Sequence, residues 1–137
     1  MTRYSRQRML AEVGDEGQRR LGAARVLIVG VGGLGSPVAM YLAAAGVGRI
    51  RLADDDSVSL DNLQRQILYT EADISSPKAE CAARRLRAMN SDITVEAHIV
   101  RVDKDNIRSL AEGCDVVVDG CDNFATRYIV GDATAEM

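Results

Sequence analysis

Between residues 25 and 37 a short apolar run gives way to a glycine-dense turn and then to a helix start, and few folds can use that succession. Arg25-Val26-Leu27-Ile28-Val29 is rich in β-branched residues, the pattern of a strand buried on both faces. Gly30-Val31-Gly32-Gly33-Leu34-Gly35 follows at once, so that Gly30, Gly32 and Gly35 satisfy GxGxxG directly after a strand. Ser36 and Pro37 suit a helix start, with Ser as the cap and Pro in the first turn. The helix predicted over 38–45 is apolar nearly all round, and Gly46 stops it. Without side chains the turn can approach a phosphate closely, and the helix amino end offers free N–H groups and positive dipole.

The rest of the chain repeats strand and helix. Arg49–Ala53 reads as a second strand delivering Asp54, Asp55 and Asp56 at its carboxyl end. A helix is predicted from about Ser76-Pro77 to Met89, with Ala79, Ala82, Leu86 and Met89 at helical spacing. Ile93, Val95, Ala97 and Ile99 alternate as a third strand should. A helix over 106–112 leads to a fourth strand over 115–119, and 124–137 reads as helical. This alternation predicts an α/β fold: a Rossmann-like, doubly wound, mostly parallel sheet with helices on both faces. We expect a helical arm over 1–24 and a nucleotide-binding domain over 25–137. The chain ends inside a helical pattern, so it is expected to be the amino-terminal part of a longer catalytic domain.

Composition narrows the partners. At 137 residues, 47% hydrophobic and 27% charged, the chain suits one globular core. A net charge of −3 gives no general attraction to nucleic acid or anionic membrane. Cys81, Cys114 and Cys121 form no CxxC pair, so zinc and a disulfide framework are not expected and a cytoplasmic setting is. The polar, basic start carries no secretory signal, and no apolar run reaches the roughly 20 residues that span a bilayer.

Asp54 stands roughly 20 residues beyond the turn, where a carboxylate accepts ribose hydroxyls. A dinucleotide-dependent oxidoreductase would show the same pattern. What favours ATP is Asp61-Asn62-Leu63-Gln64-Arg65-Gln66, which adds a cation and amides that a dinucleotide site does not need. Lys78, just inside the next helix, adds a movable point charge. Asp122, after the fourth strand, is placed to hold a magnesium ion that takes its other ligands from substrate oxygens.

As a set these residues resemble one family, the ATP-dependent activators of ubiquitin-like proteins that includes ThiF, MoeB and HesA. The resemblance covers essentially the whole chain. It rests on Arg3-Tyr4-Ser5-Arg6-Gln7, the glycine turn with Ser36, Asn62-Leu63-Gln64-Arg65-Gln66, Pro77-Lys78 and Asp122-Asn123. The stretches Leu52-Ala53-Asp54-Asp55-Asp56 and Gln66-Ile67-Leu68-Tyr69-Thr70 look more like ThiF than MoeB. The resemblance implies that Gly30, Gly32, Gly33, Gly35, Asp54, Asn62, Arg65, Gln66 and Lys78 bind ATP and that Asp122 binds Mg2+. It implies that Arg65, Lys78 and Asp122 act in catalysis with Arg6, which would come from the second subunit of a homodimer. The substrate would be the Gly-Gly carboxyl terminus of a small β-grasp sulfur carrier, adenylated in thiamine thiazole biosynthesis. The family's zinc-binding CxxC pairs and its downstream cysteine find no counterpart in this chain. Two positions depart from the pattern: Gly120 stands where Cys is expected and Cys121 where Thr is common.

Several residues have a plainer reading beside the sharp one. Cys121 reads as a small lining residue rather than a reactive thiol, Cys81 and Cys114 as buried or half-buried thiols, and His98 as a solvent-facing or loosely hydrogen-bonded side chain rather than a base. Asp55 and Asp56 either assist nucleotide or magnesium, or simply begin a loop. Arg8, Arg19, Arg20 and the Arg84-Arg85-Leu86-Arg87 run read as wet faces. Three alternatives stay open: a molybdopterin-synthase activator with the same chemistry, an NAD(P)-binding oxidoreductase, and a non-catalytic scaffold.

Overall fold

The structure, a computed structural model, describes residues 2–137, the Phe124 side chain excepted. Two helices, α1 (Ser5–Arg8) and α2 (Gly14–Ala23), precede β1 (Arg25–Val29), α3 (Gly35–Ala45) and β2 (Arg49–Ala53). Single 3-10 turns at Leu60–Asn62 and Glu71–Asp73 lead to α4 (Lys78–Met89), β3 (Thr94–His98), α5 (Ile107–Ala111), β4 (Val116–Asp119) and α6 (Phe124–Glu136). The four strands form one parallel sheet in the order β3-β2-β1-β4.

That order explains where the helices lie. The crossovers through α3 and α4 step one way along the sheet, whereas the one through α5 steps back across β1 to β4. Right-handed crossovers therefore put α5 on the opposite face. The alternation of β1 feeds both layers. Val26 and Ile28 pack with Ala39, Ala43, Ala82, Ala83 and Leu86 of α3 and α4. Leu27 and Val29 pack with Ile107, Leu110, Val130 and Ala133 of α5 and α6. Burying Leu27 or Ile28 completely contributes about 1.5–3 kcal/mol each. The strand order reverses between β1 and β4, and in such sheets the ligand crevice lies at that reversal, beyond the carboxyl ends.

Three local expectations are corrected. Helix α3 begins at Gly35, earlier than 38, and Ser36 is not its cap: Leu34 holds that position with no side-chain hydrogen bond. The Ser36 hydroxyl instead donates back to the Gly32 carbonyl, inside the turn. The third strand is shorter than its alternation suggests and leaves Ile93 and Ile99 outside; Ile99 is exposed. Its second face is polar. There Arg51 donates to Glu96 Oε2 (2.9 Å) and to the Leu110 carbonyl (2.5 Å), tying down the carboxyl end of the short α5. His98 is half-buried beside Glu96 (Nε2 to Oε2 3.6 Å), and its Nε2 has no hydrogen-bond partner.

Candidate nucleotide site

The glycine turn divides by packing. At Gly35 an added Cβ would stand 1.7 Å from the Gly30 carbonyl oxygen, and at Gly120 it would stand 2.8 Å from that oxygen and 2.9 Å from Gly35 Cα. Gly30 itself has φ +87°, a conformation natural to glycine. These three residues pack backbone on backbone where β1, α3 and the end of β4 meet. Gly120, which the sequence offered only as a departure from a pattern, is thus required by this approach. Gly33 has nothing within 4 Å of its missing Cβ, and Gly32 meets only the Gln66 amide, at 3.5 Å. Those two present bare backbone outward.

Asp54 anchors the turn. Its Oδ2 accepts the Val31 N–H (2.9 Å) and its Oδ1 the Asp56 N–H (2.7 Å). Burial pushes its carboxyl above the ordinary aspartate range, opposed by those two amides and by Lys78. An upward shift means that Asp54's contribution to folding is fully present below the ordinary Asp range and is lost as pH rises through the raised pKa. Nucleotide binding runs the other way, because only the ionised carboxylate accepts hydroxyl donors with both oxygens. ATP affinity is therefore expected to fall on acidification at a higher pH than an ordinary Asp would cause. Titrations from neutral pH down through the ordinary Asp range check this; an affinity that falls no earlier than an ordinary aspartate would cause would remove Asp54 from the binding step.

The segment after β2 folds back over the turn. Asn62 closes a capping box, its Oδ1 accepting from the Ser59 N–H (3.0 Å) and hydroxyl (2.9 Å), which leaves its NH2 group to donate elsewhere. Arg65 is exposed, held by one bond from Nη1 to the Asp61 carbonyl (3.1 Å). Gln66 is 4% exposed, and its buried Oε1 has no hydrogen-bond partner. Lys78 is the first residue of α4 and is 5% exposed, so it is a buried cation rather than the movable one expected. Its Nζ lies 3.7 Å from Asp56 Oδ2, on a side chain that is itself 76% exposed. Asp56 is thereby a partner of Lys78 and more than a loop residue.

A cleft of about 250 Å3 opens at the carboxyl ends of the strands, lined by Gly30, Asp54 to Asp56, Arg101 and Cys121 to Asn123, among others. Asp122 is exposed at its wall, and Asn123 caps α6 by accepting the Thr126 N–H (3.2 Å). Gly32, Gly33, Gly35, Asn62, Arg65, Gln66 and Lys78 do not line it; Lys78 adjoins it through Asp56, and Gln66 lies against Gly32 of the neighbouring turn. Arg101 was missed in the sequence, where its only signal was a cation directly beyond the third strand. Arg6 is exposed on α1, which packs at the far end of α3: Tyr4 lies against Gly46, and Gln7 Nε2 donates to the Ala45 carbonyl (2.7 Å). An 11-residue helix is about 16 Å long, so the structure does not bring Arg6 to this chain's own cleft.

Among the described residues no three His, Cys, Asp or Glu side chains converge on a metal ion. Cys121 donates its thiol to Asp119 Oδ1 (2.6 Å), and burial followed by that bond pushes its pKa upward. Iodoacetamide at neutral pH should therefore label Cys121 more slowly than a free cysteine, by mass spectrometry; faster labelling would mark an activated thiol. No helix of the described residues is long and apolar enough to cross a membrane.

Known proteins share this arrangement. The model of the ThiF family matches residues 4–137. The chain is 51% identical over 132 residues to the SAMP-activating enzyme E1 of Haloferax volcanii and 50% identical over 133 residues to the sulfur carrier protein adenylyltransferase of Thermus thermophilus. Those matches cover 96% and 97% of this chain and 49% of each relative, so the chain spans about half the length of these proteins. The crystal structure of the tRNA N6-threonylcarbamoyladenosine dehydratase TcdA of E. coli, in complex with AMP, superposes with a TM-score of 0.92 at 29% identity. That match covers 98% of this chain and 54% of TcdA.

Proposed function

The chain belongs to the ThiF family, and we propose that it is the nucleotide-binding part of an adenylyltransferase that activates the carboxyl terminus of a small sulfur-carrier protein. The observation that carries this reading is Lys78. A buried ammonium at a helix amino end, 3.7 Å from one largely solvated carboxylate and close enough to act on Asp54, is well placed for a polyphosphate. A dinucleotide site has no such need. The names of the two relatives, an activating enzyme and an adenylyltransferase, support ATP as well.

In this reading the outward backbone of Gly32 and Gly33 receives phosphate, with Gly30 and Gly35 setting the turn, and Asp54 accepts the ribose hydroxyls. The Asn62 NH2 group, Arg65, Gln66 and Lys78 donate to the triphosphate. The carrier's terminal carboxylate attacks the α-phosphorus, the bond to the bridging oxygen breaks, and pyrophosphate leaves with that electron pair. No protein nucleophile is required; alignment and charge neutralisation lower the barrier. Asp122 is one of three exposed carboxylates at the cleft, with Asp55 and Asp56, and such a lining fits Mg2+, which takes one or two protein carboxylates and completes its shell with phosphate oxygens and water. Asp122 would hold that ion, whose positive charge would offset that of the phosphates. Arg6 would serve the cleft of a partner copy in a homodimer. The carrier would be a β-grasp protein ending in Gly-Gly, of the thiamine type by the local likeness around Asp54 and Tyr69, and cytoplasmic like its enzyme. A molybdopterin-type carrier would undergo the same chemistry.

Arg65→Ala tests the choice of nucleotide, since Arg65 is exposed and its removal spares the core. ATP–pyrophosphate exchange should fall about 100-fold with little change in melting temperature. Tight NAD binding, unaffected by the substitution, would instead identify an oxidoreductase.

A further inference from the structure

We infer that Tyr69 is a positioning residue for the phosphate-binding turn, an inference that rests on reading the cleft as an ATP site. Tyr69 is 4% exposed and its hydroxyl donates to the Val31 carbonyl at 2.5 Å. Val31, also buried, sits between the first two glycines of the turn, and its N–H is held by Asp54 Oδ2 at 2.9 Å. One residue is therefore gripped at both ends, by the proposed ribose carboxylate and by a phenol from the segment that supplies Asn62, Arg65 and Gln66. The geometry of that segment is continuous with the grip. The Gln66 N–H donates to the Asn62 carbonyl (2.8 Å), the Tyr69 N–H donates to the Gln66 carbonyl (3.2 Å), and the Gln66 amide rests against Gly32.

Val31 is the turn's one buried side chain, and the glycines after it have none with which to hold their shape. Gly33 meets nothing within 4 Å of its missing Cβ, and the Gly32 carbonyl is held from within the turn by the Ser36 N–H (3.0 Å) and hydroxyl, so the turn's place in the molecule is set through Val31. Burial, with the charges of Asp54, Cys81 and Asp73 behind it, pushes the Tyr69 phenol upward, so the hydroxyl stays a donor through the whole working pH range. Tyr69 thus transmits the position of the 62–69 segment to the turn, and the phosphate donors and the phosphate loop move as one body.

Tyr69→Phe removes one oxygen and keeps the ring. In isothermal titrations of the folded variant, ATP affinity should fall about tenfold while adenosine affinity stays within about twofold, because adenosine does not use the turn. Equal losses for both ligands would mean a merely structural role, and unchanged ATP affinity would overturn the inference outright. A second measurement needs no substitution. In protein labelled with 3-fluorotyrosine, the Tyr69 resonance should shift on adding ATP and not on adding adenosine; a resonance indifferent to ATP would equally overturn the inference. Wild-type protein that binds no ATP in these titrations would instead refute the nucleotide reading itself.

Discussion

Lys78→Met should lower ATP–pyrophosphate exchange by about 100-fold to about 1000-fold and at the same time raise the melting temperature of the nucleotide-free protein. Methionine fills nearly the same volume without charge. The lysine ammonium is buried, stands at the amino end of α4 where the dipole opposes a cation, and faces Asp56 at 3.7 Å. Removing one member of a buried ion pair is usually costly because the other charge is stranded. Here the nearest carboxylate is 76% exposed and returns to water, and Asp54, which Lys78 helps to ionise, can take up a proton instead, so the desolvation cost of the ammonium disappears with little lost. A gain of about 1 kcal/mol, roughly 4 °C, is the expected scale. Thermal melts with and without ATP, run beside the exchange assay, check both halves. A variant that loses stability as well as exchange would show Lys78 to be structural.

The glycines of the turn should separate in the same pair of assays. At Gly35 a methyl group would enter the Gly30 carbonyl at 1.7 Å, and neither backbone can yield easily, since Gly30 N–H is bonded to the Ala53 carbonyl (2.9 Å) and Gly120 N–H to the Val29 carbonyl (2.7 Å). Gly35→Ala is therefore expected to cost about 3 kcal/mol or more and to abolish nucleotide binding with the fold. Gly33→Ala meets no atom within 4 Å and should leave stability within about 0.5 kcal/mol. Its methyl nonetheless stands where a phosphate would approach, and ATP affinity should drop about tenfold, roughly 1.4 kcal/mol. Equal melting temperatures for the two variants would contradict the division of the turn into packing and open positions.

What was legible in the sequence was whatever local pattern dictates. The β-branched run of β1, the GxGxxG spacing, Asp54 at the end of β2 and Pro77 before α4 all act through neighbours in the chain, and the structure bears out the strands and helices they announce. What depends on distant neighbours was hidden. Ser36 looks like a cap, but the turn's own Gly32 carbonyl competes for its hydroxyl. Gly120 looks like a departure until Gly30 and Gly35 are seen pressed against it. Lys78 looks mobile at a helix start, yet the loop carrying Asp56 closes over it, the Lys78 N–H donating to the Asp56 carbonyl (2.9 Å). Tyr69 carried no signal as a contact to the turn, because the chain returns to Val31 only after the whole of β2.

If this cleft moves the adenylyl group of ATP onto a carrier's carboxylate, as proposed, the carrier itself gains that mass. Purified protein, ATP and Mg2+ are mixed with a β-grasp carrier ending in Gly-Gly, and the carrier's intact mass is followed. The expected product is a carrier heavier by one adenylyl group, formed with wild-type protein and absent with Lys78→Met or with a carrier lacking its last glycine. A carrier whose mass never changes, under conditions where the wild-type protein demonstrably binds ATP, would contradict it.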